Sequence, residues 1–146
     1  MLYNPVNLKE SMSDDSRRVL AKQDETLNSS TRIQNFHYIY NGIKSLKTVR
    51  PAIANIERLT SVPLSFPIYV ENRREFASFL QSKGITTHLL WGTPPYIKNN
   101  ITLDATTQYV YDHILSLSCD QRYGLDDIRK MVEIIREYDT QVQYKH

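Results

Sequence analysis

Glycine is scarce in this chain. Four glycines stand among 146 residues, where an average protein carries about 7%, and Gly42, Gly84, Gly92 and Gly124 are scattered. A glycine-rich phosphate cradle needs its glycines clustered in one turn, so such a loop is excluded. Cysteine is scarcer still: Cys119 alone can form neither an internal disulfide nor a Cys-rich zinc site. No apolar run approaches the ~20 residues of a membrane span. Met1 to Glu10 lacks the basic start and apolar centre of a secretory signal, so the expected location is cytoplasmic, away from any membrane. An excess of one charge is missing too, with 18 Lys and Arg against 16 Asp and Glu and a net charge of +2. Nucleic-acid-binding domains usually carry a clear basic excess, so nucleic acid is not the expected partner. Lys44, Lys47, Arg50 and Arg58 form a mildly basic stretch, most simply a solvated surface.

Apolar residues make up 40% of the chain and aromatics 10%, ten of them tyrosines. That composition and length suit one domain, able to bury roughly 68–70% of its extended surface. Residues 1–12 show no periodicity and read as a loose lead-in to a domain over 13–146. From Ser13 the pattern is helical: Val19 and Leu20, then Leu27, Ile33, Phe36, Tyr40 and Ile43 recur at three- and four-residue spacing. Poor helix formers over Thr26–Thr31 predict a break there, with a second helix from about Thr31 to Leu46 that ends before Arg50-Pro51.

Residues 63–70 read as a strand, with Pro67 at an edge or at its start. Asn72 is a candidate N-cap with Glu75 as its capping-box partner, Phe76, Phe79 and Leu80 form an apolar helix face, and Gly84 ends that helix. Ile85 to Trp91 predicts a second strand, followed by a long polar loop to Asn100. A short helix near Asp104–His113 leads to a third strand, Ile114–Cys119. Gly124 caps a last helix whose buried side is Ile128, Met131, Val132 and Ile135, with Asp126 and Asp127 facing its dipole. The predicted class is α+β, a small mixed sheet of about three strands packed with helices.

Chemistry-bearing groups are few. The histidines at 37, 88, 113 and 146 show no metal-ligand spacing, and no metal site is expected. His88 lies near a strand end, three residues before Trp91, where a pocket could open; a surface histidine is the plainer reading. Cys119 precedes a strand–helix junction, yet no histidine nearby in sequence could serve as its base, and a buried structural cysteine is the commoner outcome. The richest polar cluster is Asp120-Gln121-Arg122-Tyr123 at that junction. Arg122 there could grip a carboxylate through two parallel hydrogen bonds, or pair with Asp120 to fix the turn.

Taken in order, these segments resemble part of a known family. Ser13-Asp14-Asp15-Ser16-Arg17-Arg18-Val19-Leu20, then Asp24, then Arg32-Ile33-Gln34-Asn35-Phe36, resemble the helical stretch after the core of sugar aminotransferases of the DegT/DnrJ/StrS family. Pro67-Ile68-Tyr69-Val70-Glu71-Asn72-Arg73, Leu80 through Gly84-Ile85, and the segment ending at Trp91 resemble the next pieces. Asp120-Gln121-Arg122-Tyr123 with Asp127-Ile128 resembles the end of one branch. The likeness runs from about Ser13 to Tyr138.

The resemblance implies the C-terminal small domain of a pyridoxal-phosphate enzyme of aspartate-aminotransferase fold, one that passes an amino group to a keto-sugar nucleotide. In that family the Schiff-base lysine, the aspartate on the pyridine nitrogen and the phosphate loop belong to the large domain. This chain alone is therefore expected to bind no cofactor and to have no catalytic residue. His88, Trp91, Tyr96 and Arg122 are the residues it would turn towards substrate, with Arg122 the candidate for the amino donor's carboxylate. The apolar residues of the first two helices lie on more than one face, so part of that surface is expected to meet a large-domain partner or a second copy. The alternative is a free-standing interaction or regulatory module.

Overall fold

The computed structural model describes residues 11–57, 61–89 and 92–144. In chain order they form α1 (Asp14–Ala21), α2 (Glu25–Ile43), β1 (Val49–Pro51), β2 (Phe66–Val70), α3 (Arg73–Ser82), α4 (Pro95–Asn100), α5 (Ala105–His113), β3 (Ile114–Leu117) and α6 (Leu125–Gln143). The class is the expected α+β. The sheet is antiparallel throughout rather than mixed, in the order β1-β2-β3.

Helix starts follow local hydrogen-bonding chemistry. The Ser13 hydroxyl accepts from Ser16 N, Asp24 from Leu27 N, Asn72 from Glu75 N, and Asp104 from Thr106 N and Thr107 N, each meeting an amide that has no partner within its helix. At α6 the reach is reversed: the Asp127 carboxylate accepts from Gly124 N at 3.1 Å. Gly84, at φ 80, ends α3 in the left-handed region that glycine adopts without steric cost.

The Asp24 cap overturns the expected break at Thr26–Thr31. The chain breaks at residues 22–24, and α2 runs unbroken through the serines and threonines, with Ser30 Oγ donating back to Leu27 O at 2.9 Å. The predicted second strand is also corrected. Within the described part of Ile85 to Trp91 there is one bridge, His88 opposite Ser116, while Leu90 and Trp91 lie outside the described residues. The third strand is instead β1, in a stretch expected only to end a helix. The polar loop to Asn100 contains the short α4, with Pro95 at its first turn, where a missing N–H costs nothing.

Pro67 sits second in β2, the central strand. Its carbonyl accepts from Ala52 N at 3.0 Å, so in the antiparallel pleat its nitrogen faces the same side, where β1 has already ended. The pairing with β3 loses nothing.

Alternation along β2 builds the core. Phe66, Ile68 and Val70 are buried, whereas Pro67 and Tyr69 are half-buried on the opposite face. The buried side meets α2, α3 and α6 through Phe36, Ile39, Ile43, Phe76, Leu80, Ile128, Val132 and Ile135, each contributing about 1.5–3 kcal/mol on full burial. Phe36 packs on Phe66 with ring centres 4.6 Å apart, and Phe76 meets Tyr138 edge-on at 4.9 Å. On the other face Tyr69 meets Tyr109 of α5 at 5.5 Å. Buried Asp139 on α6 fastens the entry to β1, accepting from Lys47 N, Thr48 N and Thr48 Oγ1 at 3.0, 2.7 and 2.7 Å.

Candidate functional site

The turn from β3 into α6 is organised around Asp120. Its Oδ1 accepts from Arg122 N at 3.0 Å and from Arg122 Nε at 2.8 Å, and its Oδ2 accepts from Arg122 Nη2 at 2.9 Å. This is an Asx turn closed by a bidentate guanidinium. Arg122's hydrogen bonds and charge outweigh burial and hold the Asp120 carboxyl at about 2, below its usual range, while Asp120 in turn raises the guanidinium's.

From below, buried Asn35 of α2 secures the same turn. Its Nδ2 donates towards the carbonyls of Tyr123, Asp120 and Cys119 at 3.0, 3.3 and 3.4 Å. Three carbonyls facing one group fix which end of the amide carries nitrogen. One helical turn earlier on α2, Arg32 Nε donates to Gln121 Oε1 at 2.6 Å and Nη1 to Pro63 O at 3.1 Å. Two long-range tethers from α2 therefore set the shape of Asp120-Gln121-Arg122-Tyr123.

Above the turn lies an open groove of ≈ 320 Å³ lined by Arg32, Ser65, His88, Ser118, Gln121 and the Asp120–Arg122 pair. His88 is exposed and is held there by its backbone, which exchanges two 3.0 Å hydrogen bonds with Ser116. The groove unites two of the four residues singled out from sequence, His88 and Arg122. Tyr96 does not line it; it stands 70% exposed on α4. Trp91 lies outside the described residues. Arg32 and Asn35 carry no local signal of a site, since their partners are 31 to 89 residues away.

Cys119, just before the turn, is fully buried. Burial pushes its thiol up to about 11, so it is a packed core residue without thiolate character. Among the described residues no group of three or more His, Cys, Asp or Glu could hold a metal ion, and no helix is long and apolar enough to cross a membrane.

This three-stranded antiparallel sheet with its six helices is a fold found in solved sugar aminotransferases. No family model matches the chain, and no curated protein matches it in sequence. In structure it is similar to the sugar aminotransferase CalS13 from Micromonospora echinospora, with a TM-score of 0.70 and 18% identity over 84% of this chain and 33% of that one. The S. venezuelae protein DesV, solved in complex with a ketimine intermediate, gives 0.69 and 17% over 86% and 35%. Helicobacter pylori PseC, an aminotransferase involved in the biosynthesis of pseudoaminic acid, gives 0.65 and 13% over 80% and 34%. Likeness at this level shows a shared fold. The chain spans about a third of the length of the proteins it matches.

Pyridoxal phosphate, implied by the family resemblance for a complete enzyme, calls for a desolvated lysine beside a phosphate cradle. The described lysines do not fit it. Lys22, Lys44, Lys47, Lys83, Lys98 and Lys130 are all exposed; Lys83 is paired with Glu137 at 3.0 Å and Lys44 donates to Asn41 at 2.9 Å.

Proposed function

We propose that this chain is the C-terminal small-domain portion of a pyridoxal-phosphate-dependent sugar aminotransferase of DegT/DnrJ/StrS type, working in the cytoplasm on a nucleotide-linked keto-sugar. One observation carries the reading: the fold matches solved sugar aminotransferases over 84% of this chain and only 33% of the first of them. The exposed lysines support the corollary that the chain is inactive alone and that the cofactor is held by a large-domain partner. The groove at His88 and Arg122 is then the substrate-facing side. Because the guanidinium fork is engaged by Asp120, Arg122 acts there by holding the turn in shape, and its residual N–H groups remain for a donor carboxylate.

A second reading draws on exposed Val19, Leu20 and Leu27: a free-standing module that docks on a separately encoded large domain and regulates it. Borohydride reduction of the purified chain with pyridoxal phosphate, followed by peptide mapping, tests the division of labour. The expected result is scattered, substoichiometric labelling of surface lysines and no turnover of glutamate with a keto-sugar nucleotide. A stoichiometric adduct on one lysine, with turnover, contradicts the proposal.

A further inference from the structure

The charges lining the groove do not cancel. Asp120 is its one carboxylate, and both its oxygens are taken by Arg122. Arg32 is half-buried, and among the described residues it forms no ion pair. Its guanidinium is oriented instead by two neutral acceptors, Gln121 Oε1 and Pro63 O. Of the five N–H donors an arginine carries, two are used in this way, and the remaining three have no protein acceptor among the described residues. Asp120 attracts Arg32 at longer range, but one carboxylate shared by two guanidinium groups leaves the groove with a net positive charge, and Arg32 is aligned before any ligand arrives. Ser65, Ser118 and His88 line the same groove, the Ser65 hydroxyl donating to Ser116 Oγ at 3.4 Å.

We propose that this groove binds an oxyanion, a carboxylate or a phosphoryl group, and that Arg32 is the residue that engages it. Gln121 and the Asp120–Arg122 pair are positioning residues: Gln121 fixes the guanidinium through Nε, and Asp120 with Arg122 fixes Gln121. The site belongs to this chain alone and stands under either reading of its function.

Titration of the purified chain at low ionic strength with glutarate, inorganic phosphate and uridine diphosphate, followed by calorimetry and by NMR of arginine Nε–H groups, tests the site. The expected result is saturable binding of at least one probe, with the Arg32 Nε–H signal shifting. Tighter glutarate identifies a carboxylate site and tighter phosphate or uridine diphosphate a phosphoryl site, and either supports the proposal.

Gln121→Glu supplies Arg32 with an internal counter-ion in nearly the same shape. It should weaken binding about tenfold or more, the scale of one charge-assisted contact, while leaving the melting temperature at or above that of the parent. Arg32→Lys keeps the charge, loses the fork and should weaken the carboxylate probe more than the phosphate. Arg74→Gln, in the neighbouring groove with Arg73 and Gln81, should bind like the parent. The proposal is overturned if no probe saturates, if Gln121→Glu binds like the parent, or if Arg74→Gln abolishes binding.

Discussion

Asp120 concentrates at one residue what the β3–α6 turn needs: a carboxylate that closes an Asx turn and holds a guanidinium in both hands of its fork. Its folded carboxyl sits at about 2, against ~3.9 for an unfolded aspartate. The folded-state value is depressed, so the stabilisation is fully present above about pH 4 and is lost as the pH falls towards 2. Urea midpoints measured from pH 6 to pH 2 should show that acid limb in the parent and a shallower one in Asp120→Asn. At neutral pH, Asp120→Ala should cost about 0.5–1.5 kcal/mol, the net range for lost hydrogen bonds, because the exposed Arg122 side chain is left to water.

Cys119 gives a second residue-scale test. With its thiol at about 11 and no exposure, iodoacetamide at pH 8 should label the native chain far more slowly than the chain in urea; equal rates would contradict its burial. The Asp120–Tyr123 cluster is legible in sequence because its members are neighbours, and so is the choice between a ligand grip and an internal pair. Arg32 and Asn35 are illegible for the opposite reason. A lone arginine and asparagine on a helix mean nothing until the fold brings residues 119–123 against them.

At the scale of elements, α2 and α6 meet so closely at Gly42 that a Cβ built there would lie 2.5 Å from Val132 Cγ1. Arg136 Nε also donates to the Gly42 carbonyl at 3.0 Å. Gly42→Ala would gain up to about 1 kcal/mol in helix propensity, but overpacking costs about 1–3 kcal/mol. The expected net effect is a lower melting temperature, largely restored by adding Val132→Ala; a stabilised single variant would contradict the close approach.

Elements with strong local punctuation are legible in the sequence: Asn72 with Glu75 and Gly84 bracket α3, and Asp104 opens α5. Where propensity is the only local signal it misleads, because the Asp24 cap and the packing of Phe36 and Ile39 outweigh the poor helix formers of α2. β1 has no sequence signal of its own, since its three residues are strand only by pairing with β2. Ile85 to Leu89 has strand-like composition, but β3 bridges it at Ser116 alone.

Across the whole molecule, burial is lopsided. α3 and α6 turn apolar residues into the core, whereas α1 buries none, and Val19, Leu20 and Leu27 stand 60%, 54% and 62% exposed. Met12 joins Val19 and Leu20 along one shallow groove. On the proposed reading, this amphipathic helix whose apolar residues face water is where a large-domain partner or a second copy would dock. Val19→Glu with Leu20→Gln should reduce hydrophobic-dye binding and any self-association seen by sedimentation. The melting temperature should move little, as befits surface positions worth within about 0.5 kcal/mol. A large fall in melting temperature would instead place these residues in the core.

The proposal that this body is one part of a two-part aminotransferase is tested most directly by transaminase assay of the chain alone, of any large-domain polypeptide encoded beside it, and of the two together. The account predicts conversion of a keto-sugar nucleotide to its amino sugar only in the mixture, with co-elution of the pair. Turnover by this chain alone would contradict it.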